Sequence, residues 1–245
     1  MEFEFYIYLT IILTFAAFIH GSVGFGFPMI ATPLIAIFTD LQTAILYTLI
    51  PTLTVNILSI YSEGNFIKAL KRFYPLAILT VIGSIFGTII LIKFNSEIFK
   101  IILAFAILIY LFFDYKKVEF PIIMKYPKNS IVIFGVGSGI IGGLTNVMSA
   151  TLMIYVLEAK YTKKEIVQSF NICFLFAKIT QILLFTWGSI FTLKEFSESY
   201  IPLFFVVITL FVGIKIRAKL NPLYYSKLVK FILFLLSISL FIQTF

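Results

Sequence analysis

One lysine and one histidine lie within apolar sequence, where a titratable side chain is costly unless it has a use. Lys178 lies in the middle of the run FLFAKITQILLF, and an ammonium buried in a bilayer marks a functional site by default. All eleven acidic residues lie at or near the ends of apolar runs, so we expect a bound anion to be the counter-ion of Lys178. The alternative is a lysine that snorkels or that hydrogen-bonds helix carbonyls. His20 could donate to the same anion, carry a coupled proton or be a structural donor.

Two glycine-rich stretches interrupt apolar segments, HGSVGFGFPM at residues 20–29 and GVGSGIIGGLTN at residues 135–146. In a helix interior Gly costs about 1 kcal/mol and Pro about 3 kcal/mol relative to Ala, so both stretches predict breaks. Irregular backbone inside a bilayer must line a cavity or be buried in protein. A helix that restarts at Pro28 would aim its free amides into the first break, as a small anion requires. In the second break the candidate helix caps are Thr145, Asn146 and Ser149.

The predicted substrate site combines both breaks with polar residues of the following apolar segments. It comprises His20, Gly21, Ser22, Gly24, Gly26, Asn56, Gly143, Thr145, Asn146, Ser149, Asn171 and Lys178. Weaker candidates, which could equally join helices together, are Thr48, Thr52, Thr180 and Gln181. The glycines have an alternative use too, because they permit close helix packing. No carboxylate or histidine cluster suggests a metal, no acid-base set suggests an enzyme, and nothing suggests a cofactor.

Composition determines the class of protein that must position these residues. Of 245 residues, 61% are hydrophobic and 12% are charged, and the mean hydropathy is +1.08. These values predict an all-α, polytopic integral membrane protein. The net charge of +8 comes from basic residues scattered between apolar runs, which argues against nucleic-acid binding. The single cysteine, Cys173, allows no intramolecular disulfide.

Eight apolar segments follow one another, and the first and fifth are long and broken. They cover residues 5–38, 42–61, 74–92, 98–113, 130–157, 165–187, 200–216 and 224–243. A constant shift of 122 residues places Gly21 on Gly143 and Asn56 on Lys178. The chain therefore reads as two repeats, 1–120 and 121–245, an organisation common in secondary transporters.

The distribution of Lys and Arg indicates how the broken segments sit in the membrane. If all eight segments cross, the basic residues other than Lys178 divide 8 against 10 between the two faces; if segments 1 and 5 turn back as re-entrant hairpins, they divide 15 against 3. The positive-inside rule favours the second arrangement. It predicts two inverted repeats, each a hairpin plus three transmembrane helices, with both termini outside and the hairpin tips meeting near the midplane. Long tilted spans are the alternative.

With GSVGFGFPMIATPLIAIF and GIIGGLTNVMSATLMIYVL in these places, the sequence resembles the TauE/SafE (TSUP) family of sulfite and organosulfonate transporters. Gly21, Gly24 and Gly26 match the glycines of the family, and Pro33-Leu34 matches the proline that follows. In the second half Gly139 and Gly143 fit. The sequence departs from the family at Asn146, Met148, Ser149 and Ala150, where glycines and a proline are more usual.

The resemblance implies a cell-membrane permease that moves a small sulfur-containing anion such as sulfite, thiosulfate, sulfoacetate or another organosulfonate. We expect alternating access around a midplane site that has Lys178 as its cation. A passive anion channel, or a transporter of another anion or of a divalent cation, is the alternative. The expected partners are the anionic substrate and the lipid bilayer. The sequence leaves open a homodimer and coupling to protons or sodium.

Overall fold

The computed structural model of the chain describes residues 2–94, 97–116, 119–217, 219 and 222–244. Every regular element in these ranges is an α-helix. The helices are α1 (Glu2–Val23), α2 (Phe27–Ala36), α3 (Leu41–Glu63), α4 (Phe66–Phe94), α5 (Ile98–Lys116), α6 (Pro121–Lys125), α7 (Pro127–Thr145), α8 (Ser149–Glu158), α9 (Lys163–Trp187), α10 (Leu193–Glu198), α11 (Tyr200–Arg217) and α12 (Pro222–Thr244). The all-α fold predicted from the sequence is confirmed.

Six of the described helices are long and apolar enough to cross a membrane: α1, α3, α4, α5, α9 and α11. In α12 the apolar stretch Val229–Ile242 is shorter. The chain is thus a multi-pass membrane protein. Helix starts are fixed locally, because the Asp40 carboxylate accepts from the Thr43 amide at the start of α3, and Thr162 with Glu165 forms a capping box before α9.

Each broken segment folds as a helical hairpin with a long first limb and a short second limb. After α2 the Phe38 ring stacks on Tyr8 of α1 with centroids 6.1 Å apart, so α1 begins and α2 ends at the same face. In the second hairpin the Phe120 amide, just before α6, donates to Glu158 at the end of α8 over 2.9 Å. The α7–α8 pair therefore also returns to the face where it began.

Helices α3 and α9 pack against each other in opposite directions and form the centre of the fold. Gln168, in the second turn of α9, donates to the Gly64 carbonyl just after α3 over 2.8 Å. Around them α1 packs along α11, α7 along α4, and α5 along α12. The first limb of each hairpin, α1 or α7, thus packs along a helix from the other half of the chain.

Glycines bring two of these helix pairs into backbone contact. A Cβ atom added at Gly21 of α1 would lie 2.3 Å from the Leu210 carbonyl oxygen of α11, and one added at Gly143 of α7 would lie 2.7 Å from the Ser84 carbonyl oxygen of α4. Close packing therefore accounts for glycine at both positions, as small residues do in membrane interfaces.

Both breaks are shorter than the glycine-rich sequence predicts. Helix α1 continues through Val23 and α7 through Thr145, so only residues 24–26 and 146–148 separate the limbs. The prediction that Gly135–Asn146 as a whole interrupts the fifth segment is wrong, because α7 continues through Thr145, with Gly135, Gly139 and Gly143 packed on α4. The ends of α1 and α7, and the starts of α2 and α8, are each 122 residues apart.

Candidate functional site

The first break turns the chain from α1 into α2 by means of two glycines with left-handed backbone. Gly24 has φ +103° and Gly26 has φ +96°, a region that side-chain-bearing residues rarely adopt. A Cβ atom at Gly24 would also lie 2.5 Å from Val167 of α9. One turn further along α9, Asn171 donates from Nδ2 to the Gly24 carbonyl over 2.7 Å. These contacts fix the break against α9.

His20 links the first turn of α2 to α3 by hydrogen bonds. The Phe27 amide donates to His20 Nδ1 over 3.2 Å, and because an amide can only donate, the ring proton belongs on Nε2. From there it reaches the Ser59 hydroxyl of α3 at 2.9 Å. Both ring nitrogens of the buried His20 are therefore occupied by the protein, and the histidine has the structural role that the sequence left open.

Three amides at the start of α2 have no protein acceptor among the described residues: those of Phe25, Gly26 and Met29. Pro28, in the first turn, has no N–H to give. All three residues with a free amide line one cavity of about 770 Å³, together with Ser22. A cavity of this size is typical of small-molecule sites, and free amides at a helix N-terminus attract anions.

The mouth of this cavity is basic. We define the basic face as the side of the molecule with Lys163, Lys164, Arg217 and Lys230, all of which line the cavity. Its two acidic lining residues are already paired: Glu63 lies 2.5 Å from Arg217, and Asp114 pairs with Lys230. Lys163 and Lys164 form no ion pair with a described residue, which leaves an excess of two positive charges at the entrance.

The sequence predicts that the first hairpin turns near the midplane, but helix α1 extends beyond that level towards the basic face. Its 22 residues are about 33 Å long at 1.5 Å per residue, and the Gly21 carbonyl accepts from Arg217 Nε, at the end of α11, over 3.2 Å. The two short limbs nevertheless meet, because Ser149 Oγ at the start of α8 lies 3.3 Å from Met29 Sδ near the start of α2.

The second break is closed by a buried polar cluster around Asn146. Its backbone is left-handed at φ 67°, and its Nδ2 donates to Thr32 of α2 over 2.7 Å and to Thr48 of α3 over 2.8 Å. Its Oδ1 accepts from Lys178 Nζ. One side chain thus ties the tip of the second hairpin to three helices.

Lys178 has two amide oxygens as partners, those of Asn146 and of Gln181 one turn further along α9. Gln181 in turn donates to the Gly143 carbonyl over 3.2 Å. The ammonium is 2% exposed and contacts no carboxylate of the described chain. It therefore faces the protein interior, bound to the break, and does not line the cavity.

The structure separates the predicted site residues into four groups and one separate residue, Asn56. Ser22 and Gly26 line the cavity. His20, Gly24 and Asn171 lie directly behind them. Gly21 and Gly143 serve helix packing, and Asn56 lies on α3, one turn from Ser59. The remaining residues surround the second break, and these are Thr145, Asn146, Ser149 and Lys178.

Two details of the second break differ from expectation. None of Thr145, Asn146 and Ser149 caps α8 through its side chain; Met148 occupies the cap position without a side-chain bond. The Thr145 hydroxyl instead bonds the Ile141 carbonyl of its own helix at 2.7 Å, as Ser and Thr often do within helices.

Sequence reasoning missed the lysines at the cavity mouth, and Phe25, Met29 and Thr32 within the protein. In the sequence, Lys163 and Lys164 were used only in the count of basic loop residues. Their position just before a membrane span could have indicated the entrance of a cavity. Nothing in the sequence singles out Thr32, because its partner Asn146 is 114 residues away.

Comparison with known proteins identifies the family of the chain. Residues 9–241 match the family described as Sulfite exporter TauE/SafE. No curated protein and no solved structure matches the chain. Since the match spans nearly its whole length, the chain belongs to the TauE/SafE sulfite exporter family of membrane transporters.

Proposed function

We propose that this protein is a permease for a small sulfur-containing anion such as sulfite, thiosulfate, sulfoacetate or another organosulfonate. One observation carries the proposal: three residues at the start of α2, whose amides have no acceptor among the described residues, line a cavity, and the two lysines at its mouth form no ion pair with a described residue. An anion would be drawn in by Lys163 and Lys164 and held by the amides of Phe25, Gly26 and Met29.

The proposed transport cycle is alternating access by two inverted repeats, residues 1–120 and 121–245. Its support is that α3 and α9 are antiparallel and that both hairpins have the same order of limbs. In the state described here the first break opens to the basic face, while Asn146 and Lys178 at the second break are at most 2% exposed. The second break would open to the opposite face in the other state.

In that other state Lys178 would exchange Asn146 for the substrate anion. The positive-inside rule makes the basic face cytoplasmic, so both termini would lie outside.

Two paired carboxylates in the cavity argue against a divalent cation as the substrate, because such a cation prefers several free oxygen ligands.

Transport by the full chain in proteoliposomes tests the proposal. Sulfite, thiosulfate or sulfoacetate should be taken up and should raise the melting temperature of the purified protein, since a ligand that binds only the native state stabilises it. Sulfate and acetate serve as comparison anions. Lys178→Ala should remain folded and lose transport. Failure of all three sulfur anions to bind or move would refute the proposal.

The same vesicles separate a permease from a passive channel. Substrate accumulation above equilibrium, driven by a proton or sodium gradient, identifies coupled transport. Uptake that stops at equilibrium under both gradients identifies a channel.

A further inference from the structure

A line of buried polar side chains runs along α3 from one break to the other. Thr48, Thr52, Asn56 and Ser59 recur at helical spacing on one face of the helix and are at most 1% exposed. At one end Thr48 accepts from Asn146 of the second break, and at the other Ser59 bonds His20 of the first break. The line therefore joins the two breaks through the protein interior.

Each of the two middle members of this line has a polar atom without a hydrogen-bond partner among the described residues. Neither Thr52 Oγ1 nor Asn56 Nδ2 has a hydrogen-bond partner among the described residues, although an unpaired buried polar group is costly. Thr54, on another side of the same helix, donates to the Ile50 carbonyl over 3.0 Å. The helix can thus satisfy a hydroxyl locally, and at Thr52 it does not.

Lys178 of α9 adds a cation at the same level. The Gln168–Gly64 bond and the link from Thr48 through Asn146 to Lys178 fix the antiparallel register of α3 and α9. In this register Lys178 lies about level with Thr52. Hydroxyl, amide and ammonium donors therefore lie at a similar height between the two breaks, and none of them lines the cavity.

We propose that Thr52, Asn56 and Lys178 form a second, dehydrated anion subsite through which the substrate passes between the two breaks. The inference rests on the function proposed above and assigns the subsite to the oxyanion head of the substrate. Several donors from different directions suit a sulfite or sulfonate group, which has several acceptor oxygens. The anion would give Lys178 a counter-ion and give both unpartnered groups an acceptor.

Variants that remove the donors but keep the side-chain shape test this subsite. Thr52→Val and Asn56→Leu should keep or raise the melting temperature of the full chain, because each removes an unpaired polar group. Both should lower sodium sulfite affinity, measured by thermal shift, and initial uptake in proteoliposomes by at least 10-fold. Thr54→Val, whose hydroxyl is satisfied, and Ser84→Ala, whose buried hydroxyl is unpartnered at the α4–α7 crossing, should keep wild-type affinity and uptake.

Wild-type affinity and uptake in both Thr52→Val and Asn56→Leu would overturn the subsite. A fall in melting temperature that accounts for lost uptake would also overturn it, since the groups would then be structural. If the wild-type protein binds no sulfur anion at all, the proposed function itself has failed. A wild type that transports while both variants transport equally well refutes the subsite alone.

Discussion

Replacement of Asn146 by glycine should destabilise the second hairpin tip without straining its backbone. Glycine accepts the φ of 67° at this position, so the change removes only the side-chain bonds. These are two neutral bonds, to Thr32 and Thr48, and one charge-assisted bond from Lys178. Net values of about 1 kcal/mol for each neutral bond and 1.5–3 kcal/mol for the charged one give a loss of about 3–5 kcal/mol.

Thermal unfolding of the purified protein in detergent measures this loss. For a chain of this size it should lower the melting temperature by roughly 10 °C. Asn65→Gly is the matched control, because Asn65 also has positive φ, at 55°, and its side chain is exposed. A fall of less than about 2 °C for Asn146→Gly, or an equal fall for Asn65→Gly, would refute the idea that Asn146 holds the tip.

Three further predictions concern the entrance, the first break and the topology. The double variant Lys163→Gln/Lys164→Gln should raise the KM for sulfite uptake several-fold and weaken its dependence on ionic strength. The control Lys68→Gln/Lys71→Gln, in which both lysines are exposed outside the cavity lining, should change neither. Equal kinetics of the two double variants would contradict electrostatic steering of the anion by Lys163 and Lys164. His20→Phe should cost about 1–2 kcal/mol of unfolding free energy through the lost cap, and a double-mutant cycle with Ser59→Ala should be non-additive; strict additivity would show that the two side chains do not interact. In a Cys173→Ser background, Lys164→Cys should label from the cytoplasm and Glu97→Cys from outside, and labelling of both from one side would exclude this topology.

The sequence determined the helices and the approximate places where the two hairpins turn, because helix-forming and helix-breaking residues act locally. Apolar runs of span length, Pro28 after the first break, and the caps at Asp40 and Thr162 depend on neighbours in the chain. Helix bounds therefore lie within a few residues of the predicted segments, except that α4 begins at Phe66, eight residues before the expected 74. Charged residues at that end keep contact with solvent while the helix extends beyond the apolar run.

Only the tertiary structure decided which predicted residues meet one another. In the sequence, nothing distinguishes Gly21 and Gly143 from Gly24 and Gly26. In the structure, α11 packs against Gly21 and α4 packs against Gly143, and both glycines are kept helical. Lys178 was recognisable as buried, but its partner Asn146 depends on how the end of α7 lies against α9. Hydrogen bonds between residues over a hundred positions apart, such as Asn146 with Thr32, follow from helix packing, and packing is a property of the whole chain.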